Sequence, residues 1–199
     1  MHRRLALTAI ASAVAIPSFA TMALAQLQGG PTAAATGNSG ARIGEAEARA
    51  IADTLAAGSA SLAASRVALT KASDDDVKQF ARFEVAEQET IADVLKAMRD
   101  PTQTASGQVK PPAEPDVTGQ LDPKGKAMLD KLEQAKSGKA FDSEYIRGQI
   151  EGHQALLKIQ EAYLGSGKDR EMIGVAKLAR GQIREHLALL ADIEKDLKD

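Results

Sequence analysis

The chain has 199 residues, no cysteine, no tryptophan and a formal net charge of −2. The lack of cysteine excludes thiol catalysis, thiolate metal sites and disulfides. A near-balanced charge without a basic tract gives nucleic acid no electrostatic footing.

The opening Met1-His2-Arg3-Arg4 is basic, Leu5 to Leu24 is largely apolar, and Ala23-Leu24-Ala25 places small residues before Gln26. Together these read as a secretory signal peptide over residues 1–25, cleaved after Ala25, which directs the chain to the periplasm. The alternative is an uncleaved anchor, but Pro17, Ser18 and Thr21 interrupt a span that would need ~20 predominantly apolar residues. Cleavage would lower Lys+Arg from 25 to 23 against 27 Asp+Glu, a formal charge of −4. No later stretch approaches a membrane-spanning length. Residues 26–43 are rich in Gly, Ser, Thr and Pro and read as a disordered linker. The folded domain is expected over residues 44–199.

The first predicted helix runs from Gly44 to Lys71, with Ile51, Leu55, Leu62 and Leu69 at helical spacing. The middle of its face is small (Gly58, Ser59, Ala60, Ser61, Ala63, Ala64), which predicts close packing. Ser73 followed by Asp74-Asp75-Asp76 marks a second helix start, because a serine can cap and aspartates favour the positive end of the dipole. Its seam is Val77, Phe80, Glu84, Glu87, Ile91, Val94 and Met98, and Pro101 stops it. Thr102 to Leu121 carries Pro111, Pro112 and Pro115 and reads as a long crossover loop. Asp122-Pro123 opens a short extra helix that Gly138 closes.

A third long helix spans Asp142 to Leu164. Gly165-Ser166-Gly167 is a tight connection to a fourth, Lys168 to Leu197, with Val175, Ala179, Ile183, His186, Leu190, Ile193 and Leu197 inward. The order predicts an all-α, ferritin-like four-helix bundle with a long crossover connection. A weak repeat joins the last two helices: Gln149-Ile150-x-x-His153-x-Ala155-Leu156-Leu157 matches Gln182-Ile183-x-x-His186-x-Ala188-Leu189-Leu190.

Four polar residues thus fall in apolar seams: Glu84, Glu87, His153 and His186. A carboxylate in an apolar interior must find a cation, a proton or several hydrogen bonds. Carboxylate with imidazole inside a bundle suits one divalent metal ion, whether zinc, iron, manganese or copper. The plainer account is a buried polar network in which one histidine pairs with Glu84 and the other with Glu87. The predicted turn would leave the two rings roughly 9 Å apart in height at 1.5 Å per residue, too far for one ion. Arg147 and Arg180 are further candidate partners for the glutamates. Tyr145 and Tyr163 read as seam-edge residues with a polar tip. The serines of the first helix have no evident neighbouring base, so nucleophilic catalysis has no support.

Three places carry a family resemblance: Phe80-Ala81-Arg82 with Glu87-Gln88, Phe141-Asp142-x-x-Tyr145 with Gly152-His153, and Ile183-x-x-His186. Over Gly44 to Lys195 the chain resembles DUF4142, a bacterial exported family of unknown function described as predicted outer membrane proteins. The resemblance implies a ferritin-like fold and export and no established activity. Much of that family has Asp-His where this chain has Glu87-Gln88, and a glutamate where Ser61 or Ala63 stands. The Glu-x-x-His of di-metal bundles is also missing, and the first helix has no carboxylate between Thr54 and Lys71. The expectation is therefore a non-enzymatic exported bundle, with envelope stress as its setting. The alternative is a periplasmic metal binder using Glu84, Glu87, His153 and His186, and a degenerate di-metal oxidase ranks third. No partner is identifiable.

Overall fold

A computed structural model describes residues 43–100, 102 and 106–198. The expected signal peptide and the expected linker up to residue 42 lie outside the described residues. Ile43, expected in the linker, packs against the cluster built on Ile51 and Leu55.

Six helices and no strand occur among the described residues: α1 (Glu45–Lys71), α2 (Asp75–Arg99), α3 (Glu114–Thr118), α4 (Pro123–Gln134), α5 (Lys139–Ser166) and α6 (Arg170–Asp196). Local chemistry sets the ends. Asp74, rather than Ser73, caps α2 by accepting from the Asp76 and Val77 amides. Ser73 is used elsewhere: its amide donates to Asp142 Oδ1 at 3.0 Å and its hydroxyl to Oδ2, which also takes the Asp74 amide at 3.1 Å. One buried carboxylate on α5 therefore holds the α1–α2 corner. Asp122 caps α4 ahead of Pro123, and Asp169 caps α6 through the Met172 amide at 2.8 Å. Gly138, at φ 131°, supplies the left-handed backbone that turns the chain from α4 into α5.

Contacts between helices fix the topology. Ser61 meets Glu84, while Gly58, one turn earlier on α1, faces Gln88, one turn later on α2, so α1 and α2 are antiparallel. Tyr145 meets Ser65 and Gln160 meets Thr54, so α1 and α5 are antiparallel too. Then α2 and α5 run the same way, and the connection between them must traverse the length of the bundle. This is the single long crossover of a ferritin-like arrangement. It carries α4 as expected and also α3, where a loop was predicted. Val117 of α3 is fully buried with Leu62, Leu121 and Leu129, pinning the crossover to α1.

The core divides into two apolar ends. Ala68, Phe80, Phe141, Ile146 and Leu190 pack at one end, and Ile51, Leu55, Leu95, Met172 and Ala176 at the other. The seam of α2 differs from the expected one. Leu95 is fully buried where Val94 was expected, and Val94 is exposed. A 3.6-residue period drifts by about one position over that distance. On α1, Ala68 replaces Leu69 inward for the same reason. On α6, Met172 and Ala176 are buried and Val175 only partly so. Tyr145 and Tyr163 are core residues, not seam-edge ones. No helix among the described residues is long and apolar enough to cross a membrane.

Candidate metal centre

Between the two apolar ends, α2, α5 and α6 each direct a polar group to one point. Glu84 Oε2 lies 3.3 Å from His153 Nε2 and 3.2 Å from His186 Nδ1. The two ring nitrogens are 3.0 Å apart. Glu84 is fully buried, and the histidines are 1% and 6% exposed. No other cluster of metal-ligand type occurs among the described residues.

The expected 9 Å mismatch in height does not exist. Gly165 and Ser166 continue α5 as helix and α6 starts only at Arg170, so the turn centres near Lys168 and the offset falls to roughly 4.5 Å at 1.5 Å per residue, which the two side chains span. Glycine and serine mark a turn only when the helix has no reason to continue. Here Tyr163 is buried at that end, its hydroxyl donating to Glu47 at 3.1 Å, which carries α5 onward.

The expected pairing of one glutamate per histidine is present, Glu84 with His153 and Glu87 with His186, and Glu84 reaches His186 as well. Glu84 serves both rings, and Glu87 does not face their meeting point. Glu87 Oε2 stands behind His186, 3.1 Å from Nε2. With its side chain 26% exposed, Glu87 is a rim residue, as the drift of the seam requires. Gln88 takes the interior position and donates to Glu84 Oε1 at 2.9 Å. Arg147 pairs with Glu144 on its own helix. Glu151, beside His153 in sequence, faces outward and pairs with Lys124.

Ser61, expected only to pack closely and noted as a position where much of the family has a glutamate, is a site residue as well. Its hydroxyl reaches Glu84 Oε1 at 2.5 Å. It is therefore a serine with a neighbouring carboxylate, buried inside a network with Ser65, Gln149 and Tyr145. Its signal in the sequence was the pair Ser61 and Ser65, one turn apart in an otherwise apolar small-residue face. Gly58 belongs to the same arrangement, since a Cβ there would stand 2.4 Å from Gln88 Oε1.

The ring protons follow from the partners. His153 Nδ1 is 2.8 Å from the Gln149 carbonyl, which can only accept, so Nδ1 carries the proton and Nε2 presents a lone pair. His186 Nε2 points at the Glu87 carboxylate, which favours a proton there and a lone pair on Nδ1. Glu84 Oε2 has no hydrogen-bond partner. With His186 neutral, two imidazole lone pairs and a carboxylate oxygen converge, an arrangement that repels itself unless a proton on His186 Nδ1 or a metal cation joins it.

Size fits as well. Donors at ~2.0–2.1 Å in tetrahedral order about zinc stand ~3.3–3.4 Å apart. The three separations here are 3.0, 3.2 and 3.3 Å. Outer partners that fix ring orientation, as Gln149 and Glu87 do, are the usual support of metal-binding histidines. Phe80, one turn before Glu84, closes one side, its ring 5.2 Å from that of His186 and 5.9 Å from that of His153.

Without metal, a proton on His186 settles these charges. Burial alone would raise the Glu84 carboxyl, but the two histidines and the Ser61 hydroxyl hold it far below the ordinary carboxylate range. Burial alone would lower His186, but Glu84 and Glu87 raise it to about 9.

Residues 31–193 match the family described as Domain of unknown function (DUF4142). The chain belongs to DUF4142. No curated protein and no solved structure matches it. Within this DUF4142 chain the donor set is one glutamate and two histidines from three helices. The fourth long helix, α1, offers Ser61 and no carboxylate, so the arrangement suits one ion rather than two.

Proposed function

We propose that this protein binds a single divalent transition-metal ion through Glu84, His153 and His186, as an exported, non-enzymatic bundle of the periplasm. The observation that carries the reading is the convergence of Glu84 Oε2, His153 Nε2 and His186 Nδ1 at separations of 3.0, 3.2 and 3.3 Å, with both outer ring nitrogens already engaged. Two imidazoles and a carboxylate suit zinc, iron, manganese or copper(II). The missing second carboxylate pair argues against di-metal oxidase chemistry. Export rests on the basic start, apolar run and Ala23-Leu24-Ala25 of residues 1–25.

The test is elemental analysis of the protein purified from periplasm without a nickel column, beside a His153→Ala/His186→Ala variant. One equivalent of zinc, iron, manganese or copper in the parent, lost in the variant, supports the reading. A metal-free parent whose melting temperature does not move with any of the four ions would defeat it.

A second reading rests on the 3.0 Å spacing between the rings. A proton on His186 Nδ1 also suits that spacing, and with the raised pKa of that ring the cluster becomes a buried polar pair without metal. It predicts the metal-free outcome of the same experiment.

A further inference from the structure

Phe80 closes the site toward one end of the bundle, and toward the other end the packing opens. Glu87, Gln88 and Ile91 follow Glu84 along α2, while Leu156 and Gln160 follow His153 along α5. These residues, with Thr54 and His186, line a cavity of about 10 Å³. That is about the space one water molecule needs.

Gln160 is 1% exposed. Its Nε2 donates to Thr54 Oγ1 at 2.9 Å, and its Oε1 has no hydrogen-bond partner. Among the described residues only two buried side-chain polar atoms lack a partner, Glu84 Oε2 and Gln160 Oε1. The first sits where the ion would, and the second belongs to a residue lining the space that adjoins both rings. A buried amide oxygen without a donor is commonly satisfied by ordered water.

We propose that an ion held by Glu84, His153 and His186 takes its remaining ligand from a water molecule lodged in this cavity, hydrogen-bonded to Gln160 Oε1. This rests on the metal-binding reading above and adds what the ion does there. Three protein donors plus water is the open form of a zinc site, not the closed structural one. The cavity admits a ligand of about the size of water and no ordinary organic substrate. Gln160 Oε1 can only accept, so it selects a ligand that carries hydrogen over a halide or a carboxylate. The ion would then be exchangeable at one position yet shielded from larger molecules.

The experiment is a crystal structure of the zinc-loaded full chain, with zinc per chain measured on the same sample, and the same pair of measurements on Gln160→Leu. Support is one zinc per chain, three protein donors, and an oxygen bonded to zinc within hydrogen-bond distance of Gln160 Oε1. In Gln160→Leu the zinc should remain at one per chain while the oxygen loses its second contact and shifts or disappears. Bound zinc with a fourth protein donor, or with nothing in the cavity, overturns the proposal and leaves the metal-binding reading standing. No bound zinc here, together with no zinc, iron, manganese or copper in the elemental analysis above, overturns both.

Discussion

His153 Nε2 and His186 Nδ1 face each other at 3.0 Å across the α5–α6 interface, each ring gripped from behind by a different kind of acceptor. A backbone carbonyl holds one and a rim carboxylate the other. The carbonyl is fixed by the helix and the carboxylate is not, so the two halves of the site should respond differently to substitution.

Glu87→Gln keeps the shape and removes the charge behind His186. Metal affinity should fall ~10-fold to ~100-fold, as when other outer partners of metal ligands are lost. Fold stability should change by less than about 1 kcal/mol, because the side chain is partly exposed. Competition with a chromophoric chelator, together with urea unfolding, gives both numbers. An equal loss from both would show that Glu87 acts on folding instead.

His153→Leu should destabilise the metal-free protein by ~3–5 kcal/mol, because Glu84 is fully buried and cannot escape to water. Adding Glu84→Leu to the same chain should recover most of that loss while leaving metal binding abolished. The four-corner comparison by urea denaturation decides it. Additive losses would mean that the two residues do not depend on each other.

Gly58→Ala and Gly181→Ala should have opposite signs. A Cβ at residue 58 meets Gln88 Oε1 at 2.4 Å, whereas one at residue 181 meets nothing within 4 Å. Either change adds ~1 kcal/mol of helix propensity. At residue 58 the gain is outweighed by displacing the Gln88 bond to the Glu84 carboxylate, a charged hydrogen bond of ~1.5–3 kcal/mol. Thermal melts should show Gly181→Ala rising and Gly58→Ala falling.

The pH dependence has a definite sign. His186 is raised to about 9 from 6.5, so what its proton adds to the metal-free fold is complete below about 6.5. That contribution is lost as the pH rises through about 9. Glu84 is lowered from 4.5, so its contribution is present above that value and lost as the pH falls toward its folded one. A metal ion competes with the His186 proton, so the melting shift given by added zinc should grow from pH 6.5 to 9. A shift that shrinks over that interval would contradict the assignment of His186 as a ligand.

Asp142→Ala removes the acceptor of two amides and a hydroxyl at the start of α2. The expected loss is ~1–2 kcal/mol, since three hydrogen bonds to a carboxylate are lost but their part-buried donors can turn to water. Metal affinity measured in the folded protein should be nearly unchanged, because the contact lies well away from Glu84. Isothermal titration with zinc, run well below the denaturation midpoint, separates the two effects.

The long helices and their antiparallel order were legible because apolar spacing and strong breakers such as Pro101 act locally. Three of the four expected ligands meet for the same reason, as Glu84, His153 and His186 stand where apolar residues belong. Glu87 was misplaced because a strict alternation of three and four hides the drift of a 3.6-residue helix, which puts Gln88 inside instead. The register of the rings was misread because Gly165 and Ser166 resemble a turn, and only the burial of Tyr163 from another helix shows that they are not one. The role of Ser61 was missed because a hydroxyl among alanines reads as packing until the carboxylate opposite it is seen. Val117 and α3 escaped because a five-residue helix carries too little periodicity to announce itself.

The long crossover separates the donors in the chain as well as in the fold. Glu84 belongs to the hairpin of α1 and α2, and His153 and His186 to that of α5 and α6. Each hairpin closes over a short loop and can form early, whereas the three donors meet only when the two hairpins dock. An ion added at that late stage would leave the folding rate nearly unchanged and slow unfolding. In a compartment where proteases wait for transient openings, its chief effect would then be on the lifetime of the chain.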